Sequence, residues 1–325
     1  MGNTTRAQIP AEVNNFYDKT LLMRAVPAFI HTRWAQVRNI PRKGGTNTIK
    51  FRRYGNLSPA TTALSEGVTP VGSSLSVTDI TATVAQYGDF VTITDVLDYE
   101  SEDPILMETA EILGDQMGDT IDQITRDILC EGTSAFFQGS GSTQTSHVDT
   151  ADVIDATVIK KAVRLLKNNK AKRITRMVNA ETGINTTPIN ASYIGLVHPD
   201  TTYDLKGLSA TGWVPVEKYA STKSIMENEV GAIDEVRFVE SVNAKVRTGA
   251  GQSANDVYCT IIFGAEAYGT TQINGEAVKN IVKPLGSAGS DDPLDQRATS
   301  GWKITFVAKI LNNDFITRIE HSVSA

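Results

Sequence analysis

The sequence predicts an α+β fold organised around one long helix, and three observations point there. An apolar seam runs at helical spacing between Asp103 and Glu131. Strand-like alternation of apolar and polar residues occurs before that helix and again at the C-terminus. Between them, helices and strands mix without a β-α-β rhythm, which argues against a doubly wound parallel sheet.

The seam is Leu106, Ala110, Leu113, Met117, Ile121, Ile124 and Ile128, with spacings of 4, 3, 4, 4, 3 and 4. That period keeps a single stripe on one face of a helix. Asp103 is a suitable N-cap, Pro104 fits the first helical position, and Gly132 stops the helix. At about 1.5 Å per residue the rod is on the order of 40 Å long, more than a small domain needs. Gly114 and Gly118 lie inside it and cost about 1 kcal/mol each relative to Ala. Each buried apolar side chain of the seam returns about 1.5–3 kcal/mol, so the helix depends on a covered seam. The glycines mark places where another backbone can approach.

Ahead of the helix, residues 1–45 show no sustained period. Phe16, Tyr17, Leu21, Leu22, Phe29, Ile30 and Trp34 are scattered among polar residues and broken by Pro10, Pro27 and Pro41. Such an arm cannot cover its own apolar groups, so ordering it requires a surface to lie on. Thr46–Tyr54 reads as a strand, Gly55–Ser76 is rich in Ser, Thr, Gly and Pro, and Ile80, Ala82 and Val84 alternate before a second strand-like run, Phe90–Leu97. The expectation is a long hairpin with a loose tip. A two-stranded ribbon is marginal alone in water, so it too is expected to rest on a neighbour.

Beyond the helix, residues 132–150 read as a polar loop whose only bulky apolar pair is Phe136 and Phe137. Thr150 or Asp152 caps a second helix that runs through Leu166, with Ile154, Val158, Leu165 and Leu166 inward and Lys160, Lys161, Arg164 and Lys167 outward. Ser192–Val197 is a short buried strand, Thr201–Leu205 a helical turn, and Val216–Val230 a third helix ended by Gly231. Val236–Ser241, Val257–Gly264, Trp302–Leu311 and the segment that starts at Phe315 complete the strands.

At 325 residues the chain can hold two ordinary domains with a substantial core. No run approaches the ~18 apolar residues of a membrane span, and the N-terminus lacks a basic-then-apolar leader. Arg6 stands where a myristoylation pattern starting at Gly2 needs Ser or Thr. Membrane and lipid attachment are therefore not expected. Cys130 and Cys259, two and far apart in sequence, fit an unbridged chain made in a reducing compartment.

The net charge of −6 conceals three blocks. Nine basic residues and no acid lie between Asp18 and Glu66, twelve acids and only Arg126 lie from Asp89 to Asp127, and eight basic residues and no acid lie from Lys160 to Arg176. Any one block is ordinarily a solvated face. A basic arm and an acidic rod in one chain attract each other, and they attract between copies if the arm cannot fold back.

Catalytic signatures are missing. Residues 249–254 contain G-x-G-x-x-A, but a strand follows where a dinucleotide site needs a helix. There is neither a phosphate-binding P-loop nor a nucleophile elbow. His31, His147, His198 and His321 are scattered without ligand spacing, and His198 reads as a turn residue. Residues 291–295 (DDPLD) lack the glycine and terminal Glu of a calcium loop and read as a capped turn. The basic run 160–176 has no interleaved aromatics for base stacking in its helical part, which leaves at most a sequence-blind phosphate contact. No enzyme activity, cofactor or metal is expected.

The order of elements resembles the major capsid proteins of tailed bacteriophages. Residues 103–131, Leu196–Asp200 (LVHPD), Glu229–Ser241 (EVGAIDEVRFVES) and Asp292–Lys309 (DPLDQRATSGWKITFVAK) are similar to coat proteins grouped with that of enquatrovirus-type phages. The resemblance implies a Hong Kong 97-type capsid fold. Its parts would be an N-terminal arm (1–45), an extended loop hairpin (46–97), a peripheral domain (98–151 and 285–325) with spine helix 103–131, and an axial domain (152–284). It also implies self-assembly of hexamers and pentamers into an icosahedral virion shell around double-stranded DNA, after synthesis in the host bacterial cytoplasm. Portal and decoration proteins are implied partners, and contact with packaged DNA would be non-specific. Relatives with a helical pro-segment carry it ahead of the arm; without one here, a separate scaffolding protein is implied. A cargo-enclosing shell of the same fold, or a nucleic-acid-binding module using residues 160–176, are the alternatives.

Joined to the charge blocks, this places Arg33, Arg38, Arg42, Lys50, Arg52 and Arg53 against Glu108, Glu111, Asp115, Asp119 and Asp122 of neighbouring copies. Trp34 and Phe51 are the expected apolar anchors of that contact.

Overall fold

The computed structural model describes residues 29–39, 47–55, 57–64, 66–67, 69, 72–100, 105–139, 141, 143–178, 186–219, 225–272, 278–287 and 292–324. In chain order the first elements are β1 (Gln36–Arg38), β2 (Thr48–Tyr54), β3 (Val77–Thr83), β4 (Ala85–Thr94), α1 (Asp95–Glu100), α2 (Ile105–Cys130) and β5 (Ala135–Phe137). The middle of the chain gives α3 (Ala156–Asn168), β6 (Ile174–Val178), β7 (Thr186–Val197), α4 (Pro199–Gly207), β8 (Val214–Pro215), β9 (Glu229–Ile233), β10 (Val236–Glu240) and β11 (Val246–Arg247). Then follow β12 (Val257–Phe263), β13 (Tyr268–Thr271), β14 (Val278–Lys283), β15 (Arg297–Phe306), β16 (Ala308–Ile310) and β17 (Ile316–His321). The class is α+β, as expected.

The long helix α2 forms where its period predicts, although Asp103 and Pro104 lie outside the described residues. Ala110, Leu113, Met117 and Ile121 are buried. Leu113, Met117 and Ile121 pack on Val278, Trp302, Ile304 and Phe306 of a three-stranded sheet ordered β14-β15-β4. Trp302 Nε1 donates to Gln116 Oε1 at 3.0 Å, and Gln116 Nε2 donates to Asp89 Oδ2 at 2.7 Å, so polar groups also tie helix to sheet. Toward its end the buried side changes: Leu129 and Cys130 enter a second core with Ile194, Leu196, Ile261 and Phe263. The helix is long because it joins two cores.

That second core lies against a nine-stranded mixed sheet whose main path is β5-β17-β12-β7-β10-β9-β8. Helix α3 covers part of the sheet, burying Val158, Ile159, Ala162, Val163 and Leu166 and leaving Lys160, Lys161, Arg164 and Lys167 outside. Its N-cap is Asp155, whose carboxylate accepts from Val158 N at 2.8 Å, instead of Thr150 or Asp152. His198 caps α4, accepting from Asp200 N at 3.3 Å, in line with a turn role. Asp292 accepts from Arg297 N at 2.7 Å, which makes 292–297 a capped turn.

Four sequence expectations are corrected. The run Phe90–Leu97 is strand only to Thr94 and then turns into α1; β4 leaves the hairpin to pair with β15 from Ala85 to Thr94. The loop 132–150 contains β5, which pairs in parallel with β17 and packs Phe136 on the core, a strand too short to show a period. Val216–Val230 is not one helix. Its described residues include a 3-10 turn, Val216–Lys218, and the start of β9, where Glu229 forms a buried ion pair with Arg237 across the β9–β10 ladder. Gly231 is a strand residue whose missing side chain makes room for Trp213; an added Cβ would lie 2.4 Å from Trp213 Cζ2. Finally, Trp302–Leu311 breaks at Val307, which exchanges hydrogen bonds with Thr271 (3.0 and 3.1 Å) and so sends β15 and β16 into different sheets.

Candidate assembly surface

The hairpin is an antiparallel ladder from Thr48↔Thr83 to Tyr54↔Val77. Strand alternation turns Ile49, Phe51 and Ala82 toward the body, where they pack with Leu311. Phe51 is only 2% exposed. Gly269 permits this, since a Cβ there would lie 2.6 Å from Phe51 Cε1. Past this root the ribbon loses its cover. Tyr54, Leu57, Leu64, Leu75 and Val77 are exposed, Leu64 by 78%.

A second uncovered surface is the face of the β14-β15-β4 sheet turned away from α2. Registers Gly301↔Phe90 and Ile281↔Gly301 align Phe90, Gly301 and Ile281 in one row across the three strands. An added Cβ on Gly301 would sit 2.7 Å from Phe90 Cβ, so the glycine lets the ring lean over the sheet. Phe90 remains 67% exposed, and the registers place Lys279, Lys283 and Lys303 on the same side. An apolar centre rimmed by lysines results.

The root of the arm is held inside the chain. Asp122, fully buried, accepts from Ile30 N (2.9 Å) and His31 N (2.7 Å) and pairs with His31 Nδ1 at 2.7 Å. Tyr268 Oη donates to His31 O at 2.5 Å, and β1 pairs in parallel with β13. Burial pushes the Tyr268 hydroxyl well above the usual phenol range, so it stays a donor. Trp34 lies in the second core, its ring 5.9 Å from that of Phe263.

These contacts correct four of the residues expected at neighbouring copies. Trp34, Phe51 and Asp122 are buried within their own chain, and Arg33 is spent on Phe29 O (2.8 Å) and on Glu227 (2.9 Å). Their sequence neighbourhood is that of an arm and a rod, but partners distant in the same chain cover them first. Arg52 spans the hairpin to Asp79 at 3.1 Å, which raises its pKa. Arg38, Lys50 and Arg53 are exposed, and Arg42 lies outside the described residues. On α2, Glu108, Asp115 and Asp119 are exposed and Glu111 is partly so. Asp119 accepts from Asn243 Nδ2 at 3.1 Å. Ile112, 64% exposed, sits in the same outer stripe.

Two of the basic blocks meet. A cleft of about 650 Å³ is lined by Arg38, Arg52 and Arg53 from the arm and hairpin and by Lys170 and Lys172 from the loop after α3, with Glu266 and Asp314 on its wall. Elsewhere in the third block, Lys167 (3.1 Å) and Arg173 share Glu235. Among the described residues no group of three or more His, Cys, Asp or Glu side chains is placed to hold a metal, and no helix is long and apolar enough to cross a membrane.

No protein-family model and no curated protein matches the chain. Solved structures do. The capsid of Ralstonia phage GP4 is similar with a TM-score of 0.70 at 12% identity, over 89% of this chain and 87% of that one. The head of Helicobacter pylori bacteriophage KHP40 gives 0.65 at 12% over 91% and 88%, and the capsid of cyanophage P-SCSP1u gives 0.61 at 15% over 90% and 88%. At such identities the likeness is one of fold, and it extends over nearly the full length of each chain.

Proposed function

We propose that this chain is the major capsid protein of a tailed phage, a structural and not an enzymatic component that assembles into an icosahedral head around double-stranded DNA. One observation carries the reading: a fold shared almost end to end with phage capsid chains presents a projecting ribbon and a sheet face that are both apolar and both uncovered. Exposed apolar patches of this kind belong to association surfaces. In this reading the hairpin of one copy lies across the lysine-rimmed face of the next, with Leu57, Leu64 and Leu75 against Phe90 and Ile281. Arg38, Arg42, Lys50 and Arg53 then set register against Glu108, Glu111, Asp115 and Asp119 of adjacent copies, charge steering the encounter while apolar burial holds it.

The parts correspond to a Hong Kong 97-type tile: arm 1–45, extended loop 46–97, peripheral domain 98–151 and 285–325, axial domain 152–284. Copies would form hexamers and pentamers, meet scaffolding, portal and decoration proteins, and touch packaged DNA without sequence preference. The protein would be made in the host cytoplasm and reside in the virion. Negative-stain microscopy of the purified chain tests this. Closed particles or tubes are expected, whereas a chain that stays monomeric at high concentration, with and without a scaffolding partner, would overturn it.

A further inference from the structure

The cleft where two basic blocks meet is built by segments far apart in the sequence. One wall belongs to β1 and β2: Arg38 ends β1, which is paired with β13, and strand alternation puts Arg53 on the same face as the buried Phe51. The other wall is the turn that ends α3. It closes as a Schellman motif, with Ala171 N donating to Leu166 O (2.9 Å) and Lys170 N to Lys167 O (3.0 Å). Lys170 takes the left-handed position that glycine usually fills, at φ +56°. Beyond it the chain is fixed twice more, by Tyr193 Oη donating to Ala171 O at 3.1 Å and by Ala265 N donating to Lys172 O at 2.8 Å. The backbone that carries Lys170 and Lys172 is therefore rigid.

Nearby basic residues are already paired, Arg52 with Asp79, and Lys167 and Arg173 with Glu235. Among the described residues, Arg38, Arg53, Lys170 and Lys172 have no ion-pair partner, and the acids of the cleft, Glu266 and Asp314, are fewer than these cations. Like charges gathered on facing walls repel one another and focus positive potential into the space between them. Guanidinium forks match the oxygens of a phosphoryl group, and ammonium groups meet them as point charges. Side-chain carboxylates of a peptide are spread over separate residues, whereas phosphoryl groups that share bridging oxygens concentrate several charges in one short ligand. The volume of about 650 Å³ is that of a small-molecule site.

We propose that this cleft binds a short oligophosphate, a chain of two or three linked phosphoryl groups such as tripolyphosphate or the tail of a nucleoside triphosphate. Bound there, the ligand ties β1 and the root of the hairpin to the turn after α3. In an assembled shell the acids of an adjacent copy would compete with it for Arg38 and Arg53, but the binding itself does not rest on assembly.

The test titrates the full-length chain with inorganic tripolyphosphate, in buffer without divalent metal, and follows binding by calorimetry. A single saturable site is expected, from which ATP displaces tripolyphosphate, and sodium sulfate at matched ionic strength should not reproduce it. Arg53→Gln with Lys172→Gln should weaken binding about tenfold or more, and Arg38→Gln alone should weaken it in the same direction. Lys160→Gln with Lys161→Gln, on the outer face of α3, should bind as the parent chain does, and circular dichroism checks the fold of every variant. Absence of saturable binding would overturn the proposal, as would equal binding of sulfate or an affinity unmoved by the folded cleft variants. Binding of long single-stranded DNA without binding of tripolyphosphate would overturn it as well, since the cleft would then follow a polymer backbone.

Discussion

The root of the hairpin, in β2 and β3, and its tip, in the segment that joins them, face opposite conditions. At the root, Ile49, Phe51 and Ala82 are buried against Leu311 beside Gly269. At the tip, Leu57, Leu64 and Leu75 have no such cover. The difference teaches how a ribbon that is marginal alone can still project: its direction is fixed by a few buried side chains in its own body, and on the proposed reading its tip is completed by another surface. Asp122 and Tyr268 likewise hold the described segment around His31 to the body.

Substitution can separate the two regions. The largest effect is expected from Phe51→Ala, which empties the root: about 3–5 kcal/mol of stability should be lost in chemical denaturation, along with assembly. If assembly survived, root and tip would be energetically independent. Acid should weaken the body next. His321, fully buried with Nε2 facing the Thr260 hydroxyl and Nδ1 bonded to Ser322 O, is pushed down to about 4 by burial. Its folded value lies below its unfolded one, so stability present above about pH 6.5 falls as pH drops toward 4, by on the order of 3 kcal/mol. Denaturation midpoints between pH 7 and pH 4 check this, and His321→Gln should flatten that part of the profile.

At the arm, Asp122→Ala leaves two buried backbone N–H groups and His31 without their acceptor, at about 2–3 kcal/mol. Faster amide exchange at Ile30 and His31 should report it. By contrast, Leu64→Ser with Leu75→Ser should change monomer stability by less than about 0.5 kcal/mol while sharply reducing assembly, which is the contrast in its plainest form. Smallest of all, Arg52→Glu with Arg53→Glu should barely alter folding, since the exposed Arg52–Asp79 pair is screened by solvent. Assembly yield should fall, and the deficit should shrink with added salt.

What the sequence disclosed was periodic. The seam of α2, the inner face of α3 and the alternation of β2, β12 and β15 could be read because each element is long enough to repeat its pattern. Elements decided by distant partners could not. Asp122 looks like one more carboxylate on an acidic rod, yet it is buried by a segment 91 residues earlier. Glu229 sits in a helical-looking run but is pulled into a strand by Arg237. Of the expected contact residues, Arg38, Lys50, Arg52, Arg53, Glu108, Asp115 and Asp119 are exposed, while Trp34 and Phe51 are buried against other parts of their own chain. Aromatic residues in a polar context signal burial, but not whose surface buries them.

Sedimentation velocity reads the central contrast most directly, comparing the intact chain with one in which residues 57–75 are replaced by a short turn. The intact chain should sediment as large closed particles and the shortened one as a folded monomer of unchanged core stability. Equal assembly by both, or a shortened chain that no longer folds, would contradict the division between a self-sufficient root and a tip completed by another copy.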